Sequence, residues 1–306
     1  MFRILTLDGG GIRGLVTAIL LERLDTAVPG WRDSVDLIAG TSTGGIIALG
    51  LAHGLTPTKL RALYEQKGKQ IFDDSWLDDI VDIGKTIGAD YDNKNLTREL
   101  QAIFGQRRLK HLAKKVVIPA FDLDNDDKDP HQRSWKPKIF HNFPGDDSDG
   151  EEPIYKVALY TSAAPTYFPS VDGYVDGGVF ANNPSMCALA QCQDSRAVPT
   201  TPPLSKVRLL SLGTGTSLTY IKGQNLDWGF GQWVKPLINI LMDGVSGIAH
   251  YQCKKLLGSG YKRLAPVFEP GVNYPLDDVR HLDQLVAFAE DEPIADTVSW
   301  LKNRWA

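Results

Sequence analysis

Gly40-Thr41-Ser42-Thr43-Gly44 places a serine between glycines, after the apolar run Val35 to Ala39 and before a small, apolar stretch. A serine on a sharp strand-to-helix turn is pushed out of the sheet with its hydroxyl exposed, and Gly40 and Gly44 relieve the crowding of neighbouring backbone. The helix that starts there adds positive potential. Ser42 is therefore read as a nucleophile for acyl transfer. A second segment, Asp8-Gly9-Gly10-Gly11-Ile12-Arg13-Gly14, follows the apolar run Arg3 to Leu7. Its consecutive glycines can aim backbone N–H groups at one point and form an anion nest at a helix N-terminus. A tight turn without a ligand is the plainer alternative. Gly9 to Gly14 also satisfies GxGxxG, but a dinucleotide site needs an acid at the end of the next strand. Asp36 stands at that strand's beginning, and no GK[ST] follows to make a phosphate loop. A third segment, Asp176-Gly177-Gly178, taken alone reads as a turn aspartate.

All three segments lie at the carboxyl ends of expected strands, where open α/β sheets build active sites. Arg3 to Leu7 and Val35 to Ala39 are strands, and Leu15 to Val28 and Gly44 to Leu55 are helices, an order that implies parallel pairing. Helices are expected over Thr58 to Phe72, Asn95 to Phe104 and Ile154 to Ser162, with Asp73 to Asn93 less regular. Lys115 to Asp122, Pro137 to Phe143, Tyr174-Val175 and Val207 to Leu212 read as strands. Asn183 caps a helix beginning at Pro184, and Gln232 to Leu257 and Asp283 to Lys302 read as long helices. The expectation is one α/β domain over 1–306, a three-layer α/β/α sandwich with a mostly parallel sheet. Its motif-bearing core is 1–216, and a helical segment, 217–306, completes it.

Composition narrows the class. With 33 basic and 37 acidic side chains the net charge is -4, which gives no reason to expect nucleic acid. No apolar run approaches the roughly 18 residues of a membrane span. Three scattered cysteines, Cys187, Cys192 and Cys253, fit no disulfide framework and no metal pair. With no signal-peptide layout after Met1, the expected location is the cytoplasm. Asp122 to Asp127 has a calcium-loop look, yet Asp127 takes the place of the required glycine and Arg133 that of the bidentate acid. It is read as a solvated hairpin tip. The basic cluster Arg107, Arg108, Lys110, Lys114 and Lys115 is read as a water-exposed helix end and loop. Trp228, Phe230 and Trp233, spaced by glycines, suit an apolar flap over the site or an interfacial anchor, and equally core packing.

Together the segments resemble the patatin-like phospholipase family: DGGGIRG at 8–14, GTSTGG at 40–45 and DGG at 176–178, in that order. Ser162-Ala163-Ala164-Pro165, Tyr167-Phe168-Pro169, Phe121-Asp122 with Lys138-Ile139-Phe140, and Ser211-Leu212-Gly213-Thr214-Gly215 add to the likeness. It runs over about two-thirds of the chain. The resemblance implies a Ser-Asp dyad, with Ser42 as nucleophile and Asp176 as base. It also implies an oxyanion hole of backbone N–H groups from Gly9, Gly10, Gly11 and Thr43. Arg13, Gly14, Gly40, Gly44, Gly177 and Gly178 complete the motifs. Arg13 is open between tying the glycine loop and meeting a lipid phosphate, and Asp8 is read as a turn anchor. No metal or organic cofactor is expected.

The histidines support a dyad independently. A hydrolase triad runs Ser, Asp or Glu, then His, and only His250 and His281 follow Asp176. Neither falls on a strand-end loop. A lone aspartate, with its ordinary pKa of ~3.9, is a weak base near neutrality unless desolvation raises it. Asp176 is therefore expected in a mostly apolar pocket, hydrogen-bonded to Ser42. The implied activity is hydrolysis of fatty acyl esters of phospholipids or other glycerolipids at a transient membrane or micelle interface. A general carboxylesterase or thioesterase and a ligand-activated effector, with its regulatory surface in 217–306, are the alternatives.

Overall fold

A computed structural model describes residues 1–72, 93–197 and 200–305. Except for Asn93, the segment expected to be less regular lies outside the described residues.

The first four elements follow the expected order: β1 (Phe2–Leu7), α1 (Gly14–Ala27), β2 (Leu37–Gly40) and α2 (Thr43–His53). Next come α3 (Pro57–Phe72), α4 (Lys94–Phe104), β3 (Lys115–Asp122), β4 (Lys136–His141), α5 (Ile154–Ser162) and β5 (Tyr174–Asp176). After them stand α6 (Gly178–Ala181), α7 (Ser185–Gln191), β6 (Val207–Leu212), α8 (Phe230–Leu257) and β7 (Tyr261–Leu264). The last helices are α9 (Leu282–Asp291) and α10 (Ala295–Trp300). The helix expected to begin at Pro184 starts at Ser185, with Pro184 in the cap position; Asn183, one residue before it, accepts from the Ser185 N–H at 3.0 Å.

The main path of the sheet is β4-β3-β2-β1-β6-β7. Strands β3, β2, β1, β6 and β7 run parallel, and β4 lies antiparallel to β3. Strand residues alternate between two cores, as a sheet buried on both faces requires. Leu5, Leu7, Ile38, Val116, Leu210 and Leu212 pack with α1, α2, α3 and α5 on one side. Phe2, Ile4, Leu37, Val117, Val207 and Leu209 meet α7 and the end of α8 on the other. The three-layer α/β/α architecture with a mostly parallel sheet is thus present.

Two expectations for the last ninety residues are corrected. β7 is a parallel edge strand where no strand was expected; its sequence, Tyr-Lys-Arg-Leu, carries too short an apolar signal. The helix expected over Asp283 to Lys302 is broken between α9 and α10 at Glu292-Pro293, because proline lacks the N–H that would continue the ladder. This segment docks on the motif-bearing part. Arg3 Nε donates to the Trp305 carbonyl at 2.5 Å, and Trp305 Nε1 donates to the Trp31 carbonyl at 3.1 Å.

Register sets the functional end of the sheet. Leu7 pairs with Gly40 on one side and Leu212 on the other, so Asp8, Thr41 and Gly213 leave the sheet side by side.

Candidate active site

β2 ends at Gly40, and the chain turns into α2 through Ser42, which has φ 56° and ψ -129°. A residue with a Cβ adopts this left-handed region at a cost of roughly 1–3 kcal/mol. The surroundings hold it there. The Ser42 N–H donates to Thr161 Oγ1 at 3.0 Å, and that hydroxyl donates to the Pro119 carbonyl at 2.5 Å. The Ser42 carbonyl accepts from the N–H groups of Gly45 and Ile46. Gly44 permits the turn to lie against β1, since a Cβ there would stand 2.3 Å from the Leu7 carbonyl oxygen.

Asp176 arrives through β5, which pairs antiparallel with Ala120 to Asp122 of β3. β4 occupies one edge of β3 over Val117 to Asp122, so β5 lies on the edge that β2 uses over Lys115 to Val117. It therefore continues beyond the end of β2, where the Ser42 turn begins. This placement brings together two residues 134 positions apart by number. The Asp176 carboxylate accepts a hydrogen bond from the Gly178 N–H at 2.7 Å, and the Ser42 hydroxyl acts on it to lower its pKa. Both residues are buried, at 8% and 5% exposure.

The pair opens onto a cavity of about 190 Å³ whose walls are mostly apolar, with Ile46, Leu63, Ile71, Leu100 and Ile103 among them. Burial in this setting pushes the Asp176 carboxyl up to about 7, against the opposing pull of Ser42 and the Gly178 N–H. The expected apolar pocket is therefore present. Among the described residues no histidine lines the cavity. His250 Nδ1 lies 3.1 Å from the Tyr261 hydroxyl, and His281 Nδ1 lies 2.7 Å from Asp278.

Gly10, Gly11 and Thr43 line the same cavity. Gly10 is pressed so closely against Thr214 that a Cβ would stand 2.2 Å from its hydroxyl oxygen. Gly9 takes a different part from the one expected, because its N–H donates to the Asn182 carbonyl at 2.9 Å. Thr43 is fixed by a short hydrogen bond between its hydroxyl and that of Tyr64. Gly14 and Gly40 pack against Thr43 and Gly44, and Gly177 against Pro119.

A family model described as patatin-like phospholipase matches residues 5–189. The chain belongs to the patatin-like phospholipase family. Like its family, it is classed among lipid hydrolases. It is 31% identical over 294 residues to a cGAMP-activated phospholipase of Pseudomonas aeruginosa, covering 93% of this chain and 83% of the relative. It is 30% identical over 290 residues to patatin-like protein 1 of Oryza sativa subsp. indica, covering 80% of this chain and 68% of the relative. The solved structure of VipD from Legionella pneumophila aligns with a TM-score of 0.47 at 11% identity, covering 98% of this chain and 67% of that one.

A second cavity, also about 190 Å³, adjoins this patatin-like site and is mostly polar. Tyr167, Met242 and Leu276 line both cavities. Asp8 borders the polar one as the expected anchor. Arg263 of β7 holds its two carboxylate oxygens at 3.2 and 2.5 Å and reaches Ser211 Oγ at 2.7 Å. Arg13 lines it too, its Nε donating a long 3.4 Å hydrogen bond to the Gly10 carbonyl.

Sequence reasoning missed Arg263, Thr161, Tyr64 and Asn182. None carries a local signal, since each acts through a partner distant in sequence. Trp228 and Trp233 pack edge to face on each other at 5.2 Å and line neither cavity. In the acidic hairpin, Arg133 forms a two-pronged ion pair with Asp124.

Proposed function

We propose that this chain hydrolyses fatty acyl esters of phospholipids or related glycerolipids through an acyl-enzyme at Ser42, with Asp176 as the general base. The observation that carries the proposal is that Ser42 and Asp176 share the wall of an apolar cavity, where burial raises the Asp176 carboxyl to about 7. Such a cavity suits an acyl chain, which gains about 0.8 kcal/mol per buried methylene.

In the first half-reaction Ser42 Oγ bonds to the ester carbonyl carbon while its proton passes to Asp176. The carbonyl oxygen, now an oxyanion, is held by N–H groups of Gly10, Gly11 and Thr43. The Gly9 N–H is already committed to Asn182, so Gly9 shapes the loop instead. Collapse breaks the carbon–oxygen bond to the alcohol, which leaves with the proton from Asp176. In the second half-reaction Asp176 takes a proton from water as its oxygen bonds to the acyl carbon, and returns it to Ser42 on release of the fatty acid. Losing one oxyanion donor typically costs about 3–4 kcal/mol.

A lipid surface as the meeting place is supported by α8. Its exposed Leu237, Ile240 and Leu241 lead to the apolar cavity, which Leu241 and Met242 line. Among the described residues no helix is long and apolar enough to cross a membrane, so contact is proposed as transient. Mass spectrometry of lipid products with the wild-type protein beside Ser42→Ala tests the assignment. Fatty acid and lysolipid should form only with wild type. Equal turnover by the variant overturns the proposal, and a preference for short soluble esters would favour a general carboxylesterase.

A second reading is favoured by the relative described as cGAMP-activated, which aligns with 93% of this chain. In it, hydrolysis is low until a cyclic dinucleotide binds. Assaying the purified protein with and without that ligand separates the two.

A further inference from the structure

We propose that the polar cavity beside the Ser42–Asp176 pair is a subsite for a zwitterionic headgroup, a phosphodiester carrying a primary ammonium, with Arg13 meeting the phosphate and Asp243 the ammonium. The inference rests on the proposed lipid hydrolysis and names the substrate class that the same site selects.

The cavity carries four formal charges among its described lining residues: Arg13, Arg263, Asp8 and Asp243. Two of them cancel internally, because Arg263 and Asp8 form a buried ion pair. The other two remain available. Arg13 is partly buried beside the glycine loop and lines the cavity, and among the described residues its one side-chain hydrogen bond is the long contact from Nε to the Gly10 carbonyl. Asp243 is exposed on α8. Each feels the other's field, yet among the described residues neither is in an ion pair. A partly desolvated guanidinium is costly without an anion, and a phosphate oxygen pair matches its planar fork.

The distribution of charge favours a zwitterion over an anion. A site for an anionic headgroup would hold an excess of cations, whereas this lining sums to zero. On α8, Asn239, Asp243 and Ser246 follow one another at helical spacing of four and three and line the cavity together. A carboxylate flanked by an amide and a hydroxyl can accept the N–H groups of a primary ammonium. A quaternary ammonium has none to give, and it would favour an aromatic cage instead.

Position links the subsite to the reaction. Tyr167, Met242 and Leu276 form a wall shared by the two cavities, and the glycine loop offers Gly9 to the polar one and Gly11 to the apolar one. A glycerolipid with its acyl chain among Ile71, Leu100 and Ile103 would carry its headgroup over this wall, with the scissile ester beside Ser42.

The test separates headgroup binding from turnover. Titration calorimetry on the Ser42→Ala protein should show glycerophosphoethanolamine binding at least about tenfold tighter than glycerophosphoglycerol or glycerophosphocholine. Asp243→Asn in that background should erase the preference, and Arg13→Gln should weaken all three alike. Because Arg13 is partly buried, Arg13→Lys, which keeps the charge, serves where the glutamine variant fails to fold. Equal binding of the three headgroups, or a preference that survives Asp243→Asn, overturns the subsite. So does tighter binding of a cyclic dinucleotide that depends on Arg13 and displaces glycerophosphoethanolamine. A parallel arm follows wild-type hydrolysis of phosphatidylcholine vesicles doped with phosphatidylethanolamine or phosphatidylglycerol. Equal turnover of the two dopants with no headgroup binding removes the subsite and leaves the hydrolase; selective binding without turnover does the reverse.

Discussion

Asp8 and Asp176 share one local sequence, Asp-Gly-Gly, and burial raises both carboxyls, yet only Asp8 has a cation beside it. At Asp8 burial pushes the carboxyl up and Arg263 pulls it back, through two hydrogen bonds and its charge. At Asp176 burial is opposed only by Ser42 and the Gly178 N–H, and the carboxyl rises to about 7. A carboxylate with a bound cation is a fixture of the structure. One without a cation is a base poised near neutrality, at a cost to the folded state. The partner that decides between the two fates comes from β7, more than 250 residues after Asp8.

The largest effects should fall on the uncompensated side. Ser42→Ala and Asp176→Asn are each expected to lower lipid hydrolysis by a thousandfold or more, roughly the joint contribution of nucleophile and base. Measured against a short soluble ester as well, both losses should persist, because chemistry and not lipid contact is removed. On the compensated side the damage should be structural. Arg263→Leu strands the Asp8 carboxylate in the interior, an error worth about 3–5 kcal/mol in denaturant unfolding. Adding Asp8→Asn to that variant should restore much of the loss. No restoration would mean that Arg263 acts through packing or Ser211 and not through the pair.

The same contrast predicts opposite signs of stability for two equivalent substitutions. Asp176 binds its proton more tightly when folded than when unfolded. Its contribution to stability is therefore full below about pH 3.8 and declines as pH rises toward 7. A rise from 3.8 to about 7 corresponds to roughly 4 kcal/mol at alkaline pH. Asp176→Asn should accordingly unfold at a higher temperature than wild type at pH 8, with the gap narrowing toward pH 5. Asp8→Asn should lower the unfolding temperature at both pH values, since it removes an ion-pair partner of a buried guanidinium. Wild-type kcat/KM should rise through an acid limb near pH 7 as Asp176 loses its proton. A limb near pH 4 would show that the carboxylate is better solvated in solution, and the contrast with Asp8 would collapse.

Much of this site was legible in the sequence because its parts are local. Gly40 to Gly44 carries its turn in five consecutive residues, and strand, glycine and helix signals surround it. The nest at Gly9 to Gly11 was legible as glycine, though the capture of the Gly9 N–H by Asn182 depends on a contact across 173 positions. Asp176 had no meaning by itself; only its order after the other two motifs, and then the β5–β3 pairing, gave it one. Arg263 lay on a four-residue strand with two charges in it, so neither the strand nor the partner of Asp8 could be read. The break before α10 was the reverse case, a proline in plain view inside a periodic helical pattern.

The smallest expected effect bears on whether the dyad acts alone. His250→Ala and His281→Ala should each leave most of the lipid hydrolysis intact, within about threefold of wild type, since neither ring lines the cavity. His250 is tied to the Tyr261 hydroxyl and packs on that ring, while His281 is bonded to Asp278 at the start of α9. Their removal should register as a modest loss of stability, about 1 kcal/mol for one hydrogen bond. A histidine in the proton path would show otherwise, as a thousandfold loss of kcat with the fold intact by circular dichroism. That outcome would make Asp176 an orienting residue instead of the base. It would also place its raised pKa among the consequences of burial, with no part in the reaction.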